Sequence, residues 1–268
     1  MVLSSSKLKF ACNIATLFSP SITLMDRLKS AKNQGFTSIE VAFPYTWSLE
    51  EWKDGLSKHP LDVVLINTPL GPEGQPGLAA CQNKEVDFLT GVERGIEYCN
   101  ALGCSLLHVM AGNEVQFEGQ FEVFVYQMRR ASDLMKKSGI CGLIETISEG
   151  VIPGYYLNDA KKTIELVDDI CCDNIFFQFD VFHLSMLGFS DGEIISLFDR
   201  NFHIIKHVQV AQTPGRNQVD MVGGVDYTNI FNHLVYRNYG GFIGLEYKPI
   251  PSDDIKSTNK TLEFLSKF

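Results

Sequence analysis

The sequence lacks the features that would assign it to a membrane or to a secreted class. No stretch of its 268 residues approaches the ~20 consecutive apolar residues of a membrane-spanning helix. The segment Met1–Phe10 is polar, carries two lysines and has no apolar run, so we expect no signal peptide there. The seven cysteines are scattered and form no CxxC pair, which favours reduced thiols. We therefore expect a cytoplasmic protein without a membrane partner.

Positive charge is also scarce. The chain has 23 Lys and Arg against 32 Asp and Glu, for a formal net charge of -9. Duplex-binding proteins normally carry a basic surface, so we expect no nucleic-acid partner. A small anionic substrate is compatible with this balance because a few local cations can bind it. The content of hydrophobic residues, 45%, is that of an ordinary soluble globular protein.

Short apolar segments alternate with longer amphipathic ones from end to end. Nearly continuous apolar segments are typical of parallel strands that are covered on both faces. Strands are predicted at Leu8–Ala15, Ser38–Phe43, Asp62–Asn67, Ser105–Ala111, Gly142–Ile147, Ile175–Val181, Ile205–Ala211 and Phe242–Tyr247. Helices are predicted at Ile22–Gln34, Leu49–Ser57, Glu85–Leu102, Phe121–Lys137, Asn158–Ile170, Asp191–Phe198, Tyr227–Tyr239 and Ser252–Phe268. Eight strand–helix pairs predict a single (β/α)₈ TIM barrel over residues 1–268.

An open, doubly wound sheet is the alternative fold. Such sheets usually have a glycine-rich first turn, whereas here the first strand leads into Thr16–Pro20 without a GxGxxG motif. Glycines after four predicted helices are expected to form left-handed turns: Gly35, Gly103, Gly139 and Gly240. The loops Pro69–Gly77 and Thr213–Gly224 follow predicted strands three and seven, where barrel enzymes carry catalytic loops. Either loop could instead be a passive connection.

Oxygen-donor side chains lie near the ends of four successive predicted strands: Glu145, Asp180, Gln209 and Glu246. A buried carboxylate is costly unless it is paired, hydrogen-bonded or bound to metal, and converging carboxylates repel one another. A divalent cation relieves this repulsion, and an oxygen-rich set favours Mg²⁺ or Mn²⁺ over zinc. We therefore predict a metal site, although any one of these residues alone would more commonly be a solvated strand end.

Several cationic or titratable side chains are candidates for contact with substrate. His183 follows Asp180 by three positions and is expected over the barrel mouth; His108 is a weaker candidate. Arg216 lies in the seventh loop, and a guanidinium binds a carboxylate with two parallel hydrogen bonds. A solvated loop arginine is the alternative, with Lys248 as the next cation. His207 precedes Gln209 by two positions, so it is a candidate for the same strand face, with a core or supporting role as the alternative.

Six segments resemble hydroxypyruvate isomerases, within the xylose isomerase-like barrel superfamily, and the similarity runs over nearly the whole chain. These are EVAFPY (Glu40–Tyr45), LINTPLG (Leu65–Gly71), HVMAG (His108–Gly112), FDVFH (Phe179–His183), HVQVAQTPGR (His207–Arg216) and GFIGLEYKP (Gly241–Pro249). The resemblance implies metal ligands at Glu145, Asp180, Gln209 and Glu246, a catalytic pair at Glu145 and Glu246, and substrate contacts at His183 and Arg216. Gln209 stands where many relatives have histidine.

The resemblance implies a role in carbohydrate metabolism, the interconversion of hydroxypyruvate and 2-hydroxy-3-oxopropanoate (tartronate semialdehyde). One glutamate removes a proton from the hydroxyl-bearing carbon, and the other delivers a proton to the neighbouring carbon. The sequence leaves three alternatives open: a ketose or oxo-tetronate isomerase or epimerase, an abasic-site endonuclease of the same superfamily, and a non-catalytic barrel that binds small molecules. A homo-oligomer is compatible with all of them.

Overall fold

Eight parallel strands close into a barrel in which each strand pairs with the next and the last pairs with the first. The chain is described here from a computed structural model over residues 7–19, 21–113, 117–250 and 254–268. The strands are β1 Lys9–Asn13, β2 Ser38–Val41, β3 Asp62–Asn67, β4 Leu106–His108, β5 Cys141–Glu145, β6 Ile175–Asp180, β7 Ile205–Val210 and β8 Phe242–Leu245. The predicted (β/α)₈ TIM barrel is therefore confirmed.

Helices follow the strands on the outside of the barrel. They are α1 Leu24–Asn33, α2 Leu49–Lys58, α3 Glu85–Leu102, α4 Gln120–Lys137, α5 Ala160–Ile170, α6 Val181–Met186, α7 Asp191–Asn201, α8 Tyr227–Tyr236 and α9 Asp254–Leu265. The short helix α6 was not predicted from the sequence. The last helix was predicted from Ser252, which lies outside the described residues. Over the described part of the chain, we find no helix with the length and apolar character needed to cross a membrane.

Helix ends agree with the glycine pattern at three positions and depart from it at one. Gly35, Gly103 and Gly139 have φ angles of 92°, 68° and 68°, as predicted. The prediction for Gly240 is wrong because Asn238, with φ of 51°, makes the left-handed turn after α8. Asparagine tolerates this conformation better than most residues. The N–H of Tyr239 then donates to the carbonyl of Leu234 and ends the helix.

The barrel interior changes from apolar to polar along the strands. Nearer the amino ends of the strands lies an apolar cluster that contains Ala11, Val64, Leu65 and Leu143. Leu106, Phe176 and Phe242 pack against it. Side chains on one face of a strand recur every second residue. Two positions beyond Leu106, Leu143 and Phe176 the same face therefore carries His108, Glu145 and Gln178, all buried. The polar layer thus lies at the carboxyl ends of the strands, where barrel enzymes have their active sites.

Candidate active site

Glu145 ends β5 as a buried carboxylate with one oxygen that has no hydrogen-bond partner. It is 4% exposed, and its Oε1 has no hydrogen-bond partner among the described residues. Its Oε2 lies 3.6 Å from Nδ1 of His108. Burial raises the pKa of Glu145 well above its ordinary value, and the carboxylates of Asp180 and Glu246 add to the effect. A buried oxygen without a donor is costly, so this carboxyl group is suited to bind a proton or a cation.

Asp180 joins β6 to α6 and is held by the start of that helix. Its Oδ1 accepts hydrogen bonds from the N–H groups of Phe182 and His183, at 2.7 and 3.4 Å. Asp180 is thus the N-cap of α6, which satisfies N–H groups that have no partner within the helix. The other oxygen, Oδ2, lies 3.7 Å from Nε2 of His183. The cap therefore fixes one oxygen and directs the other towards the site.

His183 is brought next to Asp180, and its ring orientation is set by Ser148. The backbone N–H of Ser148 lies 3.1 Å from Nδ1 of His183. A backbone N–H can only donate, so Nδ1 is the acceptor and a neutral ring carries its proton on Nε2. Burial lowers the pKa of His183 to about 4, so the ring is neutral at neutral pH. Nε2–H is therefore a hydrogen-bond donor at the site.

Glu246, directly after β8, has a basic partner that the sequence did not reveal. Nη2 of Arg216 donates to its Oε2 at 2.6 Å, and Nε of Arg216 donates to its backbone carbonyl at 3.1 Å. The same Nη2 lies 4.0 Å from Oδ2 of Asp180. Burial raises the pKa of Glu246 and Arg216 lowers it, with a net value of about 7.

Backbone hydrogen bonds hold the loop that carries Arg216 against the barrel. Gln212 and Asn217 exchange two backbone hydrogen bonds, and Lys248 N–H donates to the carbonyl of Arg216 at 2.6 Å. Arg216 has a φ of 54°, and its guanidinium lies 4.9 Å from the ring centre of Phe182. The side chain of Lys248, the second cation candidate, is exposed. Arg216 is therefore the arginine that the loop presents to the site.

Gln209 lies beside a buried carboxylate that the sequence analysis did not select. Its Nε2 donates to Oε1 of Glu40 at 2.8 Å, and its Oε1 accepts from Nε2 of Gln178 at 2.6 Å. Glu40 is 1% exposed and also accepts from Asn13 and from Nε2 of His207. The sequence signal was a glutamate between Ile39 and Val41 in a buried strand. It was overlooked because Glu40 lies inside the strand rather than at its end.

Two cavities meet at these residues. The larger, about 370 Å³, opens at the barrel mouth. Its polar lining is Asn67, His108, Glu145, His183, Arg216 and Glu246, and its apolar lining includes Phe43, Leu70, Met110, Ile147 and Ile152. The smaller, about 20 Å³, is lined in part by Glu40, Glu145, Gln178, Gln209 and Glu246. Glu145 and Glu246 border both cavities, so they lie between the barrel interior and a space large enough for a small substrate.

The residues could also hold a cation. One ligand atom each of Glu145, Asp180 and His183 lies within 4.8 Å of the others, in the one such group of His, Cys, Asp and Glu found in the described residues. Because Nε2 of the neutral His183 ring carries a proton, this ring is a poor third ligand, and the carbonyl oxygen of Gln209 is the better one. The unpartnered Oε1 of Glu145 and the oxygen-rich donor set fit a hard cation such as Mg²⁺ or Mn²⁺.

The chain is similar to known proteins over most of its length. Residues 28–268 match the family described as xylose isomerase-like TIM barrel. The chain is 30% identical to hydroxypyruvate isomerase of Escherichia coli, over 90% of this chain and 94% of that protein. It is 35% identical to 2-oxo-tetronate isomerase of Haemophilus influenzae, over 90% and 93%. The crystal structure of a Brucella melitensis protein named AP endonuclease, family 2, superposes with a TM-score of 0.88 at 28% identity, over 97% and 99%.

Proposed function

The chain belongs to the hydroxypyruvate isomerase family of xylose isomerase-like TIM barrels, and we propose that it interconverts hydroxypyruvate and 2-hydroxy-3-oxopropanoate. The observation that carries this proposal is the pair of glutamates at one cavity, the buried Glu145 and the partly buried Glu246. Both have raised pKa values, and that of Glu246 is about 7. A carboxyl group that titrates near the working pH can both accept and donate a proton, as an isomerisation requires.

The reaction needs one proton to leave carbon 3 of hydroxypyruvate and one to arrive at carbon 2. A charged glutamate removes the first proton, which leaves an enediolate; a protonated glutamate delivers the second. Both carboxyl groups border the same cavity, so a short substrate can lie between them. Burial of Glu145 makes its charged form a stronger base than a solvated carboxylate. The hydroxyl proton on oxygen 3 must also pass to oxygen 2, a transfer between the two adjacent oxygens of the enediolate. The glutamate pair supplies the two proton transfers at carbon.

The remaining polar groups of the cavity would orient the substrate. Arg216 uses Nη2 and Nε on Glu246, and no acceptor among the described residues lies within hydrogen-bond distance of its Nη1. That nitrogen can donate to the substrate carboxylate. His183 Nε2–H can donate to a substrate oxygen. Burial lowers the pKa of His108 to about 3, so it offers a neutral ring whose two nitrogens have no partner among the described residues.

A divalent cation fits this site, and we propose that Glu145, Asp180, Gln209 and Glu246 would hold it. A bound Mg²⁺ or Mn²⁺ would supply Lewis-acid stabilisation of the negative charge that develops on substrate oxygens. Glu145 and Glu246 would then serve both as ligands and in proton transfer, while Arg216 keeps its hydrogen bond to Glu246. His183 remains a donor to substrate in this assignment because its Nε2 is protonated.

Two related activities are the main alternatives. The similarity to a 2-oxo-tetronate isomerase favours a four-carbon acid as a second candidate substrate, and the 370 Å³ cavity has room for it. The similarity to a protein named AP endonuclease raises the question of DNA cleavage. The net charge of -9 and the single histidine in the acidic cluster of the described residues argue against that activity.

Incubation of the protein with hydroxypyruvate and Mg²⁺ in deuterated water, followed by NMR, tests the proposal. Mn²⁺ is left out of these samples. We expect 2-hydroxy-3-oxopropanoate to form with deuterium at carbon 2. Parallel samples contain 2-oxo-tetronate or a duplex with one abasic site, and Glu246→Gln serves as the inactive control of similar size. Turnover of 2-oxo-tetronate alone would assign the four-carbon substrate. Cleavage of the duplex, or no reaction with either acid, would refute the proposal.

A further inference from the structure

Glu40 is the most deeply buried carboxylate near the site, and the proposed mechanism gives it no role. Its Oε1 accepts from Asn13 Nδ2 at 3.0 Å and from Gln209 Nε2 at 2.8 Å, and its Oε2 lies 2.7 Å from His207 Nε2. Glu40 belongs to β2, whereas Gln209 and His207 belong to β7. The side chain therefore reaches across the barrel interior instead of pairing with a neighbour on its own strand.

The barrel makes room for this carboxylate at one strand position. A Cβ atom placed on Gly244 of β8 would lie 2.2 Å from Glu40 Oε2 and 2.5 Å from its Oε1 and Cδ. Contacts this short are not tolerated, so any larger residue at position 244 would displace the carboxylate. Gly244 pairs with Gln209 in the ladder between β7 and β8. The absence of a side chain at Gly244 therefore leaves the space in which the Glu40 carboxylate reaches Gln209.

The direction of the hydrogen bonds fixes which end of the Gln209 amide faces Glu40. The backbone N–H of Ala15 donates to Asn13 Oδ1, so Asn13 presents its Nδ2 to Glu40, and Glu40 Oε1 is an acceptor. The Gln209 atom on the same oxygen must then be its Nε2. Its carbonyl oxygen lies on the other side and accepts from Gln178, and Gln209 lines the small cavity together with Glu145 and Glu246. A carbonyl oxygen has two lone pairs, and Gln178 uses one of them.

We propose that Glu40 is a positioning residue that holds Gln209 with its carbonyl oxygen directed at the cation site. This rests on the proposed function only in taking Gln209 as a ligand. A glutamine side chain that is free to rotate presents nitrogen as often as oxygen, and nitrogen of an amide does not bind Mg²⁺ or Mn²⁺. Glu40 removes the wrong orientation because a nitrogen must face its carboxylate. Groups of this kind behind a ligand typically change metal affinity by about 10–100-fold when they are removed.

The test measures the dissociation constant of Mn²⁺ alone, by electron paramagnetic resonance of the free ion. Glu40→Met, of similar length and without an acceptor, should weaken binding about 10–100-fold. Glu40→Gln keeps a carbonyl acceptor and should recover most of the affinity. In a Gln209→Ala background, Glu40→Met should have no further effect, because it acts through Gln209. Ser132→Ala, which removes a buried hydrogen bond to Asn174 far from the site, is the matched control and should bind as the wild type.

A folded Glu40→Met protein with wild-type affinity would overturn the inference, as would an effect that adds to that of Gln209→Ala. If Glu40→Met does not fold, NMR of the wild type replaces it. Mg²⁺ should then shift the side-chain carbonyl carbon of Gln209, and a shift at Glu145 without one at Gln209 would overturn the inference. Wild-type protein that binds no Mn²⁺ refutes this inference. Normal Mn²⁺ results without turnover of either acid refute only the proposed function.

Discussion

Replacement of Glu145 by glutamine should make the metal-free protein more stable, although it removes a proposed catalytic group. The Oε1 atom of Glu145 is buried and has no partner among the described residues, and burial raises the pKa of the carboxyl group. A buried polar group without a partner costs about 1–3 kcal/mol, and more when charged. The amide has the same shape and no charge, and Gln178, whose own Oε1 is unpartnered, borders the same small cavity.

The size of the effect depends on pH in a defined direction. A carboxyl group with a raised pKa in the folded state contributes stability that is present below its ordinary pKa and is lost as the pH rises. The wild type should thus lose stability between pH 5 and 8 in chelator, and Glu145→Gln should lose less. At pH 8 we expect a gain of about 1–3 kcal/mol. At roughly 2–4 °C per kcal/mol for a chain of this size, the melting temperature rises by about 2–12 °C.

Glu246→Gln is the matched comparison, because Glu246 has the cation partner that Glu145 lacks. Its Oε2 accepts a hydrogen bond from Arg216 at 2.6 Å, which offsets part of the cost of burial, and its pKa is raised only to about 7. Glu246→Gln should therefore gain less stability at pH 8 than Glu145→Gln. Circular dichroism melts in chelator at pH 5 and 8 measure both variants. With Mg²⁺ or Mn²⁺ the wild type should gain more stability than Glu145→Gln. Equal melting temperatures for the two variants in chelator would refute the reasoning from unpaired burial.

Three further outcomes are expected. Glu145→Gln and Glu246→Gln should each remove most turnover. The double variant should be no less active than either single variant, because one proton path uses both groups. A kcat near that of the wild type in either single variant would contradict this. Arg216→Ala should raise KM for hydroxypyruvate by the equivalent of about 1.5–3 kcal/mol, and an unchanged KM places the substrate carboxylate elsewhere. Mn²⁺ should raise the melting temperature of the wild type but not that of Asp180→Ala. The rise in the wild type should become smaller as the pH falls below about 7, because a proton then binds Glu246. A rise that does not depend on pH would exclude Glu246 as a ligand.

The alternation of short apolar and long amphipathic segments was enough to predict the barrel. Parallel strands that are buried on both faces leave a strong pattern in the chain, and eight repeats favour closure. Strand ends were less accurate: β4 ends at His108, whereas the apolar segment runs on to Ala111. Burial continues beyond the last ladder hydrogen bond, so hydrophobicity alone does not mark that position.

The sequence also brought Glu145, Asp180, Gln209 and Glu246 to the same edge of the barrel, because each is a polar residue near the end of a buried parallel strand. Their partners followed from the tertiary structure only. Glu40 and Gln209 are 169 positions apart, and Arg216 reaches Glu246 through the conformation of a loop. The proton position on His183 depends on a backbone N–H, that of Ser148. The spacing of apolar residues and the polarity of a strand end can be read locally from the chain. Hydrogen-bond partners depend instead on which distant strands the closed barrel brings together.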